Sequence, residues 1–273
     1  MEKNKNDTVA KHLKQIKTSI TSLPRFPFAE GTHSQCFKVQ QANCMVVLKA
    51  KYTGLDNGEK RAKNKKIIAN IHAIRPHLER LRAGGVHVPR YFGCFMDKNE
   101  ILYVVQLKMP GEAMLPNPYG HEITSTRTAD RLDKLLNAPE EHFAKFVRDA
   151  KAIIEEGIAL DFFSAGNFLY DEHYGFSFID VDKLNSSSDT TNLPHFLIDT
   201  FAHSYDCEIH GKAVAQKYQK VFLRFVKAFD DAGFSETRKV GKWNCFPHQE
   251  KFWQETQMQE AINQMFKGKA ITI

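Results

Sequence analysis

The apolar residues of this chain change their dominant period near Gly111. Between Phe26 and Leu107 they come mostly in strand-length runs, CFKV, CMVVLK, VHVPRYFGCF and ILYVVQL, whereas beyond Gly111 helical spacing dominates. One helical stretch interrupts the first half, with Ile67, Ile71, Ile74, Leu78 and Leu81 three or four positions apart. Such a pattern builds two strands, a helix and two strands into a small lobe, followed by a helical lobe. MPG at 109 to 111 marks a turn, so the connection lies near residues 106 to 112. We expect an α+β chain: 1–23 a lysine-rich extension, 24–107 a β-rich first lobe with a helix, and 108–273 a mainly helical second lobe.

Local signals refine this layout. Val9, Leu13, Ile16 and Ile20 suit a short amphipathic helix in the extension. Pro76 either kinks the helix of the first lobe or splits it in two, and Gly84 with Gly85 stops it. In the second lobe Phe143, Phe146, Val147, Ala150, Ile153 and Ile154 form one stripe, with Gly157 as its C-cap. FLYD and FSFID read as short strands around a DEHYG turn, then come helices at 212 to 230 and 248 to 267.

Composition narrows the class. With 42% hydrophobic and 26% charged residues, a chain of 273 residues is globular and large enough for two lobes around a cleft. Its longest apolar runs fall well short of the ~20 residues of a membrane span. No apolar h-region follows the start, and five scattered cysteines without CxxC suit reduced thiols. These features suggest a soluble, cytoplasmic protein, with export by another route left open. The net charge of +6 is spread out; its one dense run, GEKRAKNKK at 58 to 66, reads as a solvated helix face. No finger, RNA-recognition or helix-turn-helix signature accompanies it.

The segment IALDFFSAGNFLYDEHYGFSFIDVDK (158 to 183) sets Asp161, Asn167, Asp180 and Asp182 among residues that prefer burial. Transfer of the γ-phosphoryl group of ATP needs hard oxygen ligands for Mg²⁺ and a carboxylate to take the acceptor's proton. A carboxamide in a loop, a carboxylate at a strand end and a second carboxylate meet those needs. Taken singly, Asn167 is a turn residue and Asp161 a loop carboxylate. Strand alternation puts Asp182 on the face of Asp180, as a second ligand or as a salt-bridge partner of Lys183.

In this order the residues resemble the protein-kinase superfamily, including its aminoglycoside-phosphotransferase-like branches. There a catalytic-loop Asp is followed by an Asn, two short strands and a metal-binding Asp. The resemblance covers about residues 26 to 183 and implies a bilobal protein-kinase-like fold that uses ATP and Mg²⁺. It makes Asp161 the base and Asn167 and Asp180 metal ligands, with Asp182 left as a second ligand or a salt-bridge partner. EGTHSQCFKV (30 to 39) resembles a reduced glycine-rich loop, with Gly31, Thr32 and Ser34 near phosphate oxygens. VVLK (46 to 49) resembles the third-strand lysine element, which assigns Lys49 to the α- and β-phosphates. LYVVQLKMPGEAM (102 to 114) looks like the last strand and hinge, where adenine meets backbone groups from Gln106 through Lys108 to Met109. The glutamate for Lys49 is Glu79 by placement before the next strand, with Glu59 as the alternative.

The departures from the pattern are specific. The His-Arg of the catalytic loop is replaced by Ala159 and Leu160, and Asp161 stands six positions before Asn167, where five is usual. Asp180-Val181-Asp182 replaces Asp-Phe-Gly, and no Ala-Pro-Glu follows. The expected activity is transfer of phosphate to a hydroxyl acceptor, on a protein or a small molecule. A kinase-like binding module without activity and an AMP-transferring enzyme are the alternatives. Asp-x-Asp phosphatases of the haloacid-dehalogenase type place Asp-Gly-Thr near the start of their domain, unlike DVDKL here. A glycosyltransferase reading leaves VVLK and the hinge unexplained.

Overall fold

The computed structural model describes residues 27, 29–30, 34–38, 45–114, 125–160, 167–179, 181, 184 and 207–234. They fall into two compact units, one holding Val88–Met109 with the segment up to Ala83, the other Gly84–His87 and Pro110–Val181 with the last helix. As the sequence pattern implies, the chain is α+β.

In the first unit β1 (Ala29–Glu30), β2 (Ser34–Lys38), β3 (Met45–Ala50), β4 (Tyr91–Met96) and β5 (Leu102–Leu107) form one antiparallel sheet. Their order is β1-β2-β3-β5-β4. β1 has only two residues and carried no strand pattern in the sequence. Helix α1 (Asn57–Ala83) joins β3 to β4 and packs against β4. Its start is a capping box: the Glu59 N–H donates to Asp56 Oδ1 at 2.9 Å, and the Asp56 N–H to Glu59 Oε2 at 2.8 Å.

Of the two expectations for Pro76, the split helix is not observed, because α1 runs through it. Losing one backbone bond and crowding the preceding turn costs about 3 kcal/mol. Burial of Ile74, Leu78 and Leu81 on one stripe contributes roughly 1.5–3 kcal/mol each, which outweighs that cost. Three residues before Ile67 the same stripe holds Asn64, which is fully buried. Its side chain accepts the Tyr52 hydroxyl and donates to the Glu100 carbonyl at 2.9 Å. That bond pins the β4–β5 turn, where Glu100 takes φ +61° and Asp97 Oδ1 accepts the N–H groups of Asn99 and Ile101.

The second unit carries α2 (Ser125–Leu136), α3 (Glu140–Glu155), α4 (Cys207–Asp231) and a small sheet. That sheet is β6 (Glu112–Ala113), β7 (Phe168–Asp171) and β8 (Gly175–Phe178), in that order. The hairpin β7–β8 matches the expected strand pair, whereas β6, two residues long, falls just after the MPG turn, in the segment that the sequence reads as hinge. Phe143 and Phe146 of α3 meet Phe225 of α4 and Phe168, Phe176 and Phe178 of the hairpin, with ring centroids 4.8 to 5.6 Å apart. Most of these pairs are edge-to-face, the arrangement favoured by the ring quadrupoles. The core of this unit therefore holds the hairpin against two helices.

Arg224 ties α4 to the end of α2. Its guanidinium donates to the carbonyls of Leu135, Leu136 and Ala138 at 2.6, 2.9 and 2.5 Å and lies 4.2 Å above the Phe143 ring. Carbonyls in and just beyond the last turn of the helix, where intrahelical donors run out, thereby gain a partner from another element. Among the described residues, no helix is long and apolar enough to cross a membrane. The helices expected near 9 to 20 and 248 to 267 lie outside the described residues.

Candidate functional site

In the first unit the expected phosphate loop sits between paired strands. Ala29 and Glu30 of β1 pair with Cys36 and Gln35 of β2, so residues 31–33 connect two hydrogen-bonded strands. Gly31 and Thr32 themselves lie outside the described residues. Ser34 opens β2 opposite Ala50, and Gln35 stands opposite Lys49. Alternation therefore puts Ser34 and Lys49 on different faces of the sheet.

The register around β3 defines what shares a face with Lys49. Lys49 pairs with Tyr103 and Val47 with Val105, without a bulge between β3 and β5. Phe37 of β2 pairs with Val47. Lys49, Val47, Phe37, Tyr103 and Val105 thus form one face, with half-buried Lys49 at the edge of an apolar floor. Phe37, Val47, Tyr103 and Val105 were not singled out in the sequence. Counting in steps of two from Lys49 would have found Val47.

Gln106 pairs with Val46 and belongs to the opposite face. Its side chain is buried and its Oε1 has no hydrogen-bond partner. The hinge reading uses only its backbone. The Leu107 N–H is taken by the Arg90 carbonyl at 2.9 Å, and Lys108 follows β5 with an exposed side chain.

The two glutamates considered for Lys49 are both engaged locally. Glu79 is exposed on α1 and bonds Arg75, four residues earlier, at 3.1 Å. Glu59 is the acidic half of the capping box at the start of α1. Burial raises the Cys36 thiol to about 12, and Cys36 faces away from Lys49, opposite Leu48. The Tyr103 hydroxyl is also raised, first by burial and then by the Asp97 carboxylate, to which it donates at 3.4 Å.

In the second unit two devices frame the polar segment. Helix α3 ends in a Schellman turn: the Gly157 N–H bonds the Ile154 carbonyl at 2.9 Å, and the Ile158 N–H bonds the Ile153 carbonyl at 3.1 Å. Gly157 takes φ +82°, as its place as C-cap requires, and buried Ile158 turns the chain out of the helix three residues before Asp161. At the other end the Ile179 N–H donates to the Asn167 carbonyl at 3.0 Å, extending the Phe168–Phe178 pairing by one step. Asn167 is half-buried and stands opposite the residue that precedes Asp180.

Asp161, Asp180 and Asp182 lie outside the described residues, although Val181 between the last two is fully buried. Among the described residues no three His, Cys, Asp or Glu side chains cluster as a metal site. The donor set named from the sequence, one carboxamide and two carboxylates, is all hard oxygen and fits Mg²⁺ rather than a thiolate-seeking metal.

No family model matches the sequence, and no curated protein matches it. Among solved structures the chain is similar to WbdD in co-crystal with a kinase inhibitor. That likeness has 16% identity over 74% of this chain and 44% of that one, with a TM-score of 0.42. The chain spans about half the length of the WbdD chains it matches. It is similar to a mutant aminoglycoside 2'-phosphotransferase-IIIa in its GDP complex, at 10% identity over 94% of this chain and 97% of that one, TM-score 0.41. It is also similar to the Cydia pomonella granulovirus kinase PK-1, at 9% identity over 94% and 92% of the two chains, TM-score 0.40.

Proposed function

We propose that this chain is an ATP- and Mg²⁺-dependent phosphotransferase that moves the γ-phosphoryl group of ATP to a hydroxyl on a protein or a small molecule. The observation that carries the reading is the register around Lys49. A cation stands at the end of an apolar strip formed by Phe37, Val47 and Val105, opposite Gln35 near the start of β2, and Gly31 and Thr32 precede that strand in the sequence. A purine ring suits the strip and a polyphosphate suits the ammonium and the loop amides.

In this reading Lys49 holds the α- and β-phosphates, and the adenine edge meets backbone groups between Gln106 and Met109. Asn167, Asp180 and Asp182 hold Mg²⁺, which when bound neutralises the charge that builds on the phosphate oxygens. Asp161 accepts the proton of the attacking hydroxyl. The Schellman turn at Gly157 and the Asn167–Ile179 bond support the roles of these residues by fixing the chain on either side of Asp161 and just before Asp180.

A second reading, a nucleotide-binding module without transfer, is favoured by one observation. Glu79 is bonded to Arg75 and Glu59 is bonded within its capping box. A Lys49 held by neither glutamate would bind phosphate without being oriented for transfer. Incubation with γ-labelled ATP and Mg²⁺, read by mass analysis of candidate acceptors, tests the choice. Phosphate on an acceptor supports the proposed enzyme. AMP on an acceptor would replace it with a nucleotidyl transferase, and Mg²⁺-dependent ATP binding without any modification would favour the binding module.

A further inference from the structure

The second half of α1 and the segment leading into β4 enclose a small depression whose charge is not balanced by its lining. Arg75, Leu78, Glu79, Arg82, Arg90 and Tyr91 line it, and the space it encloses is about 10 Å³, room for roughly one water-sized oxygen. Leu78 and Tyr91 are buried and form its floor. Three guanidinium groups thus share a depression with one carboxylate, and that carboxylate is bonded to Arg75.

Arg82 is the informative residue. Its Nη1 is sealed from solvent and makes no hydrogen bond within the chain. A buried donor left unmade costs about 1–3 kcal/mol, and more when charged, so native structures rarely keep one without a water or an ion. Burial lowers the basicity of Arg82, the Arg90 charge lowers it further, and Glu79 offsets this in part. Arginines in the last turn of a helix ordinarily complement its dipole, which accounts for the presence of Arg80 and Arg82 there. It does not account for a buried, unpaired donor on a residue that lines a depression shared with Arg90, which comes from outside the helix.

We propose that this depression is an oxyanion site, in which one oxygen of a phosphate group fills the space that Arg82 and Arg90 line and their guanidinium groups neutralise its charge. Guanidinium forks match tetrahedral oxyanions in geometry and hold them by paired, charge-assisted bonds. A single water in that space would leave the two positive charges uncompensated. The site lies wholly within the first unit and uses none of the residues assigned to ATP or metal, so it stands independently of the proposed reaction.

Inorganic phosphate is the probe, titrated at constant ionic strength against chloride and followed by thermal unfolding and isothermal calorimetry. To separate this site from the nucleotide site, the titration is run in a Lys49→Met background as well as in the wild type. Saturable stabilisation is expected in both, weakened about tenfold or more by Arg82→Gln and by Arg90→Gln. Arg61→Gln, earlier on the same helix, should leave it unchanged. Phosphoserine, run in parallel, distinguishes a phosphorylated side chain from free phosphate: tighter binding than phosphate assigns the site to the former, equal binding to the latter. Stabilisation no greater than that of chloride, or insensitive to both arginine substitutions in folded variants, would overturn the proposal.

Discussion

Lys49 on β3 and Tyr103 on β5 are direct cross-strand partners, which places Gln106, three residues further along β5, on the other face of the sheet. The face that carries Lys49 and the buried end of β5 that carries the Gln106 side chain are therefore separate environments, and substitutions at the two positions should have separate effects.

Gln106→Leu should leave ATP binding unchanged, because only the backbone of this residue belongs to the proposed hinge. It also removes a buried carbonyl oxygen that has no partner. Such a group costs about 1–3 kcal/mol, so the variant should unfold at higher urea, by about 1 kcal/mol after allowance for imperfect packing. Weaker ATP binding in a stable Gln106→Leu protein would place the side chain in the nucleotide site.

Arg224 should be irreplaceable by lysine. A single ammonium cannot reach the carbonyls of Leu135, Leu136 and Ala138 together, nor keep the flat contact with Phe143. Both Arg224→Ala and Arg224→Lys should lose roughly 2–3 kcal/mol in chemical denaturation. A lysine variant as stable as the wild type would contradict the capping role.

Gly111 and Gly85 offer a controlled pair. Both have positive φ, +95° and +84°, but a Cβ on Gly111 would lie 2.5 Å from the Tyr170 carbonyl oxygen, whereas one on Gly85 meets nothing within 4 Å. Gly85→Ala should cost only the left-handed strain of roughly 1–2 kcal/mol. Gly111→Ala must also separate β7 from the turn before β6, so it should cost about 3 kcal/mol or more. Equal losses of melting temperature in the two variants would refute the close approach.

Asp149 should make stability fall with rising pH over the acid range. Burial raises its pKa, and this outweighs the opposing pull of Lys145, whose ammonium contacts it and also donates to the Gly85 carbonyl at 2.9 Å. His87 and Arg148 add smaller pulls in the same direction as Lys145. Since folding raises the pKa, the protonated form is favoured in the native state. Its contribution is full below the ordinary carboxylate value, near about 3.9, and is lost as pH climbs through the raised value. Asp149→Asn should gain stability relative to the wild type over that climb; parallel pH profiles would remove Asp149 as the cause.

Much of this arrangement is legible in the chain, and what escapes does so for physical reasons. The β7–β8 hairpin shows because alternating FLYD and FSF flank a turn whose Asp171 Oδ1 accepts the N–H groups of His173 and Tyr174. Gly157 shows because only a residue free of Cβ strain suits that Schellman position. Strands β1 and β6 do not show, since two residues carry no period. Asn64 hides as a polar residue on an apolar stripe, though stepping back three from Ile67 lands on it. The pairing of Glu79 with Arg75 follows from i,i+4 spacing on α1, whereas one set by three-dimensional approach, such as Arg224 with the end of α2, leaves no mark in spacing. The same holds for the depression around Arg82, whose arginines are spread over α1 and the segment just before β4.

The central claim is that Lys49, Asn167 and Asp180 together bind Mg²⁺ and ATP. Calorimetric titration of ATP in the presence and absence of Mg²⁺ tests it most directly, with wild type beside Lys49→Met, Asn167→Ala and Asp180→Ala, each confirmed folded. The account predicts saturable, Mg²⁺-dependent binding by the wild type. It further predicts that Lys49→Met weakens binding with and without the metal, while Asn167→Ala and Asp180→Ala abolish the Mg²⁺ dependence. ATP binding of equal strength and equal Mg²⁺ dependence in all four proteins, or no binding by the wild type, would contradict it.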